Sequence, residues 1–471
     1  MIQIFKINDP ARIILLLFLL LVLRIPFMVM TNGYLSDEIL WMTIGENLNQ
    51  GYSLYKGLDT SIGPLAAFVY QITNFFFGPS LVAYQILSLI VVAIQAIMLS
   101  LLFNRTDVTT ERTFIPSLIY ILLASMAPDM FTLSPVLMAT TFIMLAFAQL
   151  IWNLKHGNTD QSVLVMGIHI GVAALFYLPS LFFMVMVFGT LLFYSGTILR
   201  RFLLLLFGIV LTFSIVLTYY YVMDNMSSFL YNTFSYELEL DGISQLNVSE
   251  YLWIAAFPLF IVLIGVLNVI PGIGFVNYQL KCHRGIFFWA VSAALAWVFS
   301  GKVSTQHFIL FVAPASFFIT RYFLMLRRKW LRGMVFYLLV FSCLSSGYLS
   351  HHTLLEPYLS PQMYGLLTPP TEPAEASVVV FGDQPEYYIG KKNQHVTRYL
   401  DWGISASQLD RPEYVPQQAM LFDQLTTYRP EVIIDHHEVV SSFLPYVPFL
   451  SKYKEVSTHE GDGKRYHLTK N

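Results

Sequence analysis

Eleven apolar runs, most of them close to the length a helix needs to cross a bilayer, constrain this chain more than any other feature. They lie near residues 12–30, 81–103, 113–128, 132–152, 163–179, 181–199, 202–223, 251–270, 285–300, 305–325 and 332–349. A hydrocarbon core about 30 Å thick takes roughly 20 apolar residues in a helix, so the pattern predicts an α-helical polytopic membrane protein with about eleven transmembrane helices. The chain is 56% hydrophobic and only 12% charged, which excludes a soluble enzyme. The runs on either side of Pro128 and of Pro179 are short, and each pair can also be read as one broken helix.

Net charge is close to zero, so the placement of the charges carries the information. Lys6, Arg12, Arg105, Arg112, Lys155, Arg200, Arg201, Lys281, Arg284, Arg327, Arg328, Lys329 and Arg332 all fall between runs on one side. Before the C-terminal region the other side keeps only Lys56 and Lys302. The positive-inside rule then places the N-terminus in the cytoplasm of a cell, or inner, membrane and the C-terminal region outside it. The first run follows Lys6 and Arg12 and continues to Met30 without a small-residue cleavage site, which predicts a retained anchor. Cys282 and Cys343 are expected at different depths, too far apart for a disulfide.

Residues 1–350 read as a transmembrane domain, with a structured first outer loop at 31–80. Within that loop ILWMTIGENL and LAAFVYQITNFFF are amphipathic stretches expected along the membrane surface. Residues 351–370 form a linker, and 371–471 a small extracytoplasmic α/β domain, with strands at SVVVFG and EVIID and a helix at PQQAMLFDQLTTY.

Asp37 and Glu38 sit side by side directly after the first run, where a partly desolvated carboxylate could take a proton from a substrate hydroxyl; a solvated pair at a helix start is the plainer reading. Arg24 lies inside the first run, where a cation needs an anion, an aqueous cavity or a route to the headgroups. Lys302, Gln306 and His307 form a polar group in GKVSTQHF and, with Arg24, could hold a phosphate. Asp59 is a candidate for orienting a substrate, and Asp129 for helping hold a divalent cation, the one cofactor the sequence suggests; helix capping is the plainer reading of each. The run Asp435, His436, His437, Glu438 is a poor metal site, because neighbours on a strand point to opposite faces. No GxxxxGK[ST], HExxH or GxSxG motif occurs, and nothing points to nucleic acid.

In order and spacing the chain resembles the GT-C superfamily of membrane glycosyltransferases, which includes protein O-mannosyltransferases and the lipid A aminoarabinose transferase. RIPF closes the first run, SDE follows, and GENLNQGYSLYKGLDTSIGPL, KVSTQHFILFVAP, VVVFGDQPEYYIGKKNQHVTRYLDW and RPEVIID come in the family's order. The resemblance implies a polyprenyl-phosphate sugar donor, membrane lipid around it, and a lipid, glycan or protein acceptor on the outer face. Asp37 would be the general base and Glu38 would position substrate. Arg24, Lys302 and His307 would neutralise the leaving phosphate, and the anomeric configuration would invert. SPVLMATTF, with Pro135, lacks the acidic residue that members often carry at the start of the fourth span, leaving Asp129 nearby. A lipid-linked glycan transporter or flippase, and a noncatalytic assembly component, are the alternatives.

Overall fold

The computed structural model describes residues 2–6, 9–30, 33–109, 111–157, 159–193, 198–235, 243–244, 248–269, 276–300, 302–349, 367, 378–388, 398–456 and 464–468. The helices are, in chain order, α1 Ile2–Phe5, α2 Ala11–Met30, α3 Ser36–Asn49, α4 Pro64–Phe77, α5 Leu81–Thr106, α6 Ile115–Leu123, α7 Pro135–His156, α8 Asp160–Phe176 and α9 Met184–Leu192. There follow α10 Ile198–Val222, α11 Met226–Leu230, α12 Val248–Val269, α13 Asn277–Val298, α14 Ile309–Met325, α15 Lys329–Leu349, α16 Trp402–Gln408, α17 Val415–Tyr428 and α18 Val439–Phe443. The strands are β1 Ile243–Ser244, β2 Lys302–Val303, β3 Val378–Phe381, β4 Val432–Asp435, β5 Tyr453–Val456 and β6 Lys464–Leu468.

Among the described residues five helices are long and apolar enough to cross a membrane: Ala11–Val29, Leu81–Thr106, Pro135–His156, Leu199–Val222 and Thr305–Met325. Several of the other apolar runs are short, broken or interrupted by charge. α6 has 9 residues, about 13.5 Å at 1.5 Å per residue, and the chain then turns through a short 3-10 segment, Pro128–Met130. Pro179 lies in a 3-10 segment between α8 and α9, and α13 carries Lys281, His283 and Arg284 in its first turns. α7 shows how locally a span can be specified: the Ser134 hydroxyl accepts from Leu137 N–H, Pro135 opens the helix, and Gly157, at φ 102°, ends it after Lys155 and His156.

The chain forms two compact units, one of Met1–Thr31, Val82–Tyr219 and Glu239–Gly365, the other of Asn32–Leu81, Tyr220–Leu238 and Leu366–Asn471. In the first, α8 and α10 cross closely because both carry glycine at the contact. A Cβ on Gly167 would lie 2.2 Å from the Leu205 carbonyl oxygen, and one on Gly208 would lie 2.5 Å from that of Leu164. A proline defect joins α13 to α14. Pro314 has no N–H, so the carbonyl of Leu310, four residues back, loses its helical donor. The buried indole N–H of Trp289 supplies one at 2.8 Å, with Phe147 and Phe183 edge-on to the ring. Trp289→Phe keeps the aromatic body but strands that carbonyl, and is expected to cost about 1–3 kcal/mol, read as a lower thermal midpoint in detergent.

In the second unit the first loop folds with the C-terminal domain. Tyr34 and Leu367 exchange both backbone hydrogen bonds, and Tyr52 stacks on Tyr428. Most of the 351–370 linker lies outside the described residues. The C-terminal sheet has order β3-β4-β6-β5, with β3 and β4 parallel and the other pairs antiparallel. Every residue of β3 is buried, as a near-continuous apolar strand requires, and Val379, Phe381 and Ile433 pack with Leu421 and Leu425 of α17 and Phe443 of α18.

Candidate functional site

The sequence candidates divide between the two units. In the first, Arg24 is fully buried on α2. Its Nη2 donates to the carbonyls of Ala124 (2.7 Å) and Met130 (3.0 Å), Nη1 to Ser88 Oγ (2.9 Å) and Nε to Ser125 Oγ (3.4 Å). Its guanidinium lies over the Phe131 ring, 5.1 Å from the centroid, and that ring stacks on Phe27. The carbonyls just past the end of α6 have no helical donor and carry the negative end of its dipole. Arg24 thus ties down the turn between α6 and α7.

That turn holds Asp129, whose Oδ2 accepts from Thr305 Oγ1 and from the backbone N–H of Gln306, both at 2.6 Å. The next residue, His307, is buried; the Ser304 N–H donates to its Nδ1 at 3.2 Å, the Ser304 carbonyl lies 3.0 Å from the same nitrogen, and Nε2 lies 3.1 Å from Ser300 Oγ. Arg24, Asp129, Gln306 and His307 therefore belong to one continuous polar corner. The Lys302 backbone pairs with Ile243 beside this corner; its side chain lies outside the described residues.

An apolar groove of about 750 Å³ runs from that corner between α12, α13 and α14 and the end of α6. Pro258 and Pro314, inside α12 and α14, both line it, as do Tyr251, Trp297 and Phe308. Trp297 and Phe308 are close neighbours in sequence of Ser300 and His307, so the groove passes near the polar corner. The Trp297 indole N–H is buried with no acceptor among the described residues, in a wall otherwise almost wholly apolar.

In the second unit Asp37 and Glu38 occupy the first turn of α3, where the helix dipole favours carboxylates. Glu38 is buried, and its Oε2 accepts from the Leu35 backbone N–H at 2.9 Å, which closes the helix start. Asp37 is half-buried beside it. Asp59 lies later in the same loop. It is fully buried; Arg398 Nε donates to its Oδ1 at 3.0 Å and Ser405 Oγ to its Oδ2 at 3.4 Å, and the backbone N–H of Asp59 donates to the Arg398 carbonyl at 2.6 Å. Burial pushes the Asp59 carboxyl up, while Arg398, Gln408 and Ser405 hold it down. Placed there, Asp59 joins the first loop to the C-terminal domain.

No protein-family description and no curated protein matches this sequence. Solved structures do. Over 98% of this chain and 74% of the other, the fold superposes on the archaeal oligosaccharyltransferase AglB from Archaeoglobus fulgidus, in complex with an inhibitory peptide and a dolichol-phosphate, with TM-score 0.50 and 10% identity. The chain has the GT-C fold. Looser likenesses are to an A. fulgidus oligosaccharyltransferase complex with zinc and sulfate (TM-score 0.46, 11% identity, 97% and 73% covered) and to ArnT from Cupriavidus metallidurans bound to undecaprenyl phosphate (TM-score 0.45, 12% identity, 97% and 96% covered).

Among the described residues no three His, Cys, Asp or Glu side chains converge around Asp129 or elsewhere. In DHHE the carboxylate of Asp435 accepts the backbone N–H groups of His437, Val439 and Val440 and so caps α18, His437 stacks on Trp402, and Glu438 pairs with Lys464. Sequence reading missed Trp297 and Arg398. Each becomes visible only through its surroundings, an unmet donor in an apolar wall and a buried carboxylate's cation.

Proposed function

We propose that this chain is a membrane glycosyltransferase that moves a sugar from a polyprenyl-phosphate-linked donor to a lipid, glycan or protein acceptor at the outer face of a cell membrane, with inversion. The observation that carries the reading is the apolar groove beside the corner that holds Gln306 and His307, with Trp297 Nε1–H in its wall unmet among the described residues. A long apolar chain ending in a phosphate has that chemistry: its tail fills a dry groove and its headgroup accepts hydrogen bonds at the mouth. The GT-C fold, and the dolichol-phosphate held by AglB, support the same donor class.

In this reading Asp37 takes the proton of the acceptor hydroxyl, the freed oxygen attacks the anomeric carbon, and the bond from that carbon to the phosphate oxygen breaks. Polyprenyl phosphate leaves, and Trp297, Lys302, Gln306 and His307 stabilise its growing charge. Arg24 acts at one remove, by holding the turn on which Asp129 meets Thr305 and Gln306.

Transfer from radiolabelled polyprenyl-phosphate sugars, measured in membranes holding wild type or Ala290→Trp, tests the reading. Ala290 lines the groove, and a bulky residue there is expected to abolish transfer in folded protein. Unchanged transfer in that variant, or none by wild type across several donors, would overturn it. Trp297→Phe keeps the groove wall and removes its donor; polyprenyl phosphate is expected to bind about 5–10-fold more weakly by titration in detergent.

A further inference from the structure

α8 and α10 run side by side in the same direction. A Cβ on Gly167 would lie 2.2 Å from the Leu205 carbonyl oxygen, one on Gly171 would lie 2.8 Å from Thr212 Cβ, and Asp160 in the first turn of α8 pairs with Arg200 in the first turn of α10. These contacts advance together along both helices, so the two N-termini lie at the same end.

Each N-terminus carries the positive end of its helix dipole, roughly half an elementary charge. Parallel packing puts the two ends together and adds Arg200 and Arg201 to them. The one carboxylate in these first turns is Asp160, and Arg200 already holds it.

Arg201 heads the row Arg201, Leu205, Gly208 and Thr212, spaced i, i+4, i+7 and i+11, the stripe of α10 that faces α8. Its Nε and Nη1 are sealed from solvent and have no acceptor among the described residues, so Nη2 is the nitrogen left to meet a counter-ion from outside the protein. The close glycine crossing keeps the two helices from shifting to hide the charge. A guanidinium partly shut off from water gains more from an anion than one free in solvent. α10 is also one of the helices able to cross a membrane, and its opposite flank is bare at Leu203, Leu206 and Phe207, as a lipid-facing surface is. Arg201 therefore stands at the end of a span, where the anion at hand is a lipid phosphate.

We propose that Arg201, backed by the paired N-termini of α8 and α10, binds the phosphate of an anionic phospholipid in the leaflet that this end of α10 meets. Nη2 donates to a phosphate oxygen, a charge-assisted hydrogen bond at the membrane surface. On the charge pattern that leaflet is the cytoplasmic one, and the site stands whether or not the protein transfers sugar.

The test uses full-length protein in detergent, titrated with phosphatidylglycerol and separately with phosphatidylcholine, with bound lipids counted by native mass spectrometry. One phosphatidylglycerol is expected to bind ahead of phosphatidylcholine, and Arg201→Gln to weaken it about 10-fold. Arg328→Gln, which removes the same charge from an exposed position before α15, is expected to leave that binding unchanged. Equal binding by wild type and Arg201→Gln overturns the proposal. An equal loss in Arg328→Gln also does, because it would mean diffuse attraction by basic ends. Inorganic phosphate is expected not to displace the lipid; displacement would make this a site for a free anion and sink the lipid assignment. Should Arg201→Gln not fold, a photoactivatable phosphatidylglycerol decides the matter in wild type: cross-links confined to peptides of α8 and α10 are expected, and cross-links spread round the whole perimeter would remove the site.

Discussion

Replacing Asp37 by Asn is expected to lower sugar transfer by roughly 10²–10⁴-fold, the usual contribution of a positioned general base, in a protein that still folds. Asn loses only the carboxylate's attraction to the helix dipole, and Glu38 still closes the helix start, so α3 should keep it. Polyprenyl phosphate binding should be unchanged, because the groove belongs to the other unit. Glu38→Gln is the matching control: a Gln oxygen still accepts from Leu35 N–H, so a base at position 38 would lose its activity there while a helix-closing residue would not. Transfer assays with expression matched by fluorescence-detected chromatography separate these cases. Equal transfer by wild type and Asp37→Asn sinks the assignment of Asp37, and loss in Glu38→Gln alone moves the base by one residue.

Arg398→Met should have the largest effect on stability. It leaves the Asp59 carboxylate buried without its cation, and breaking a buried pair from one side costs about 3–5 kcal/mol. For a unit of this size that is a fall of roughly 6–20 °C in the unfolding midpoint. The deficit should depend on pH. Burial raises the Asp59 carboxyl in the folded state, and the substitution removes the main influence opposing it. A carboxyl whose folded value lies above its unfolded one favours folding below the ordinary carboxylate range and loses that contribution as pH rises through the raised value. The variant should therefore lie nearest wild type in acid and furthest from it at neutral pH and above. Adding Asp59→Asn removes the buried charge and should flatten the profile. Midpoints that track wild type at every pH would show that the pair contributes nothing to the unit.

Local patterns settled much of the architecture. Apolar length specified the spans at α2, α5, α7 and α10; Ser134, Pro135 and Gly157 bounded α7; VVVF and EVIID made the two parallel strands; and PQQAMLFDQLTTY formed α17 nearly to the residue. Such features depend on spacing and capping within a few residues, and these a sequence displays. Amphipathic patterning alone did not say what would cover a face. ILWMTIGENL and LAAFVYQITNFFF were both expected on the membrane surface, yet α3 is buried along most of its length while α4 keeps a bare stripe.

The roles of single polar residues were decided by tertiary structure. Arg24 was read as a phosphate ligand because an intramembrane cation needs compensation; carbonyls and hydroxyls a hundred residues away provide it. Asp59 found its cation 339 residues on, at Arg398, and so tied the first loop to the C-terminal domain. The groove is built from α6, α12, α13 and α14, and its one telling feature is a donor left unmet at Trp297. The sequence alone determined which residues must be buried, charged or capped, because those demands are local. Which partner meets each demand depends on contacts between distant segments, and only the folded chain shows them.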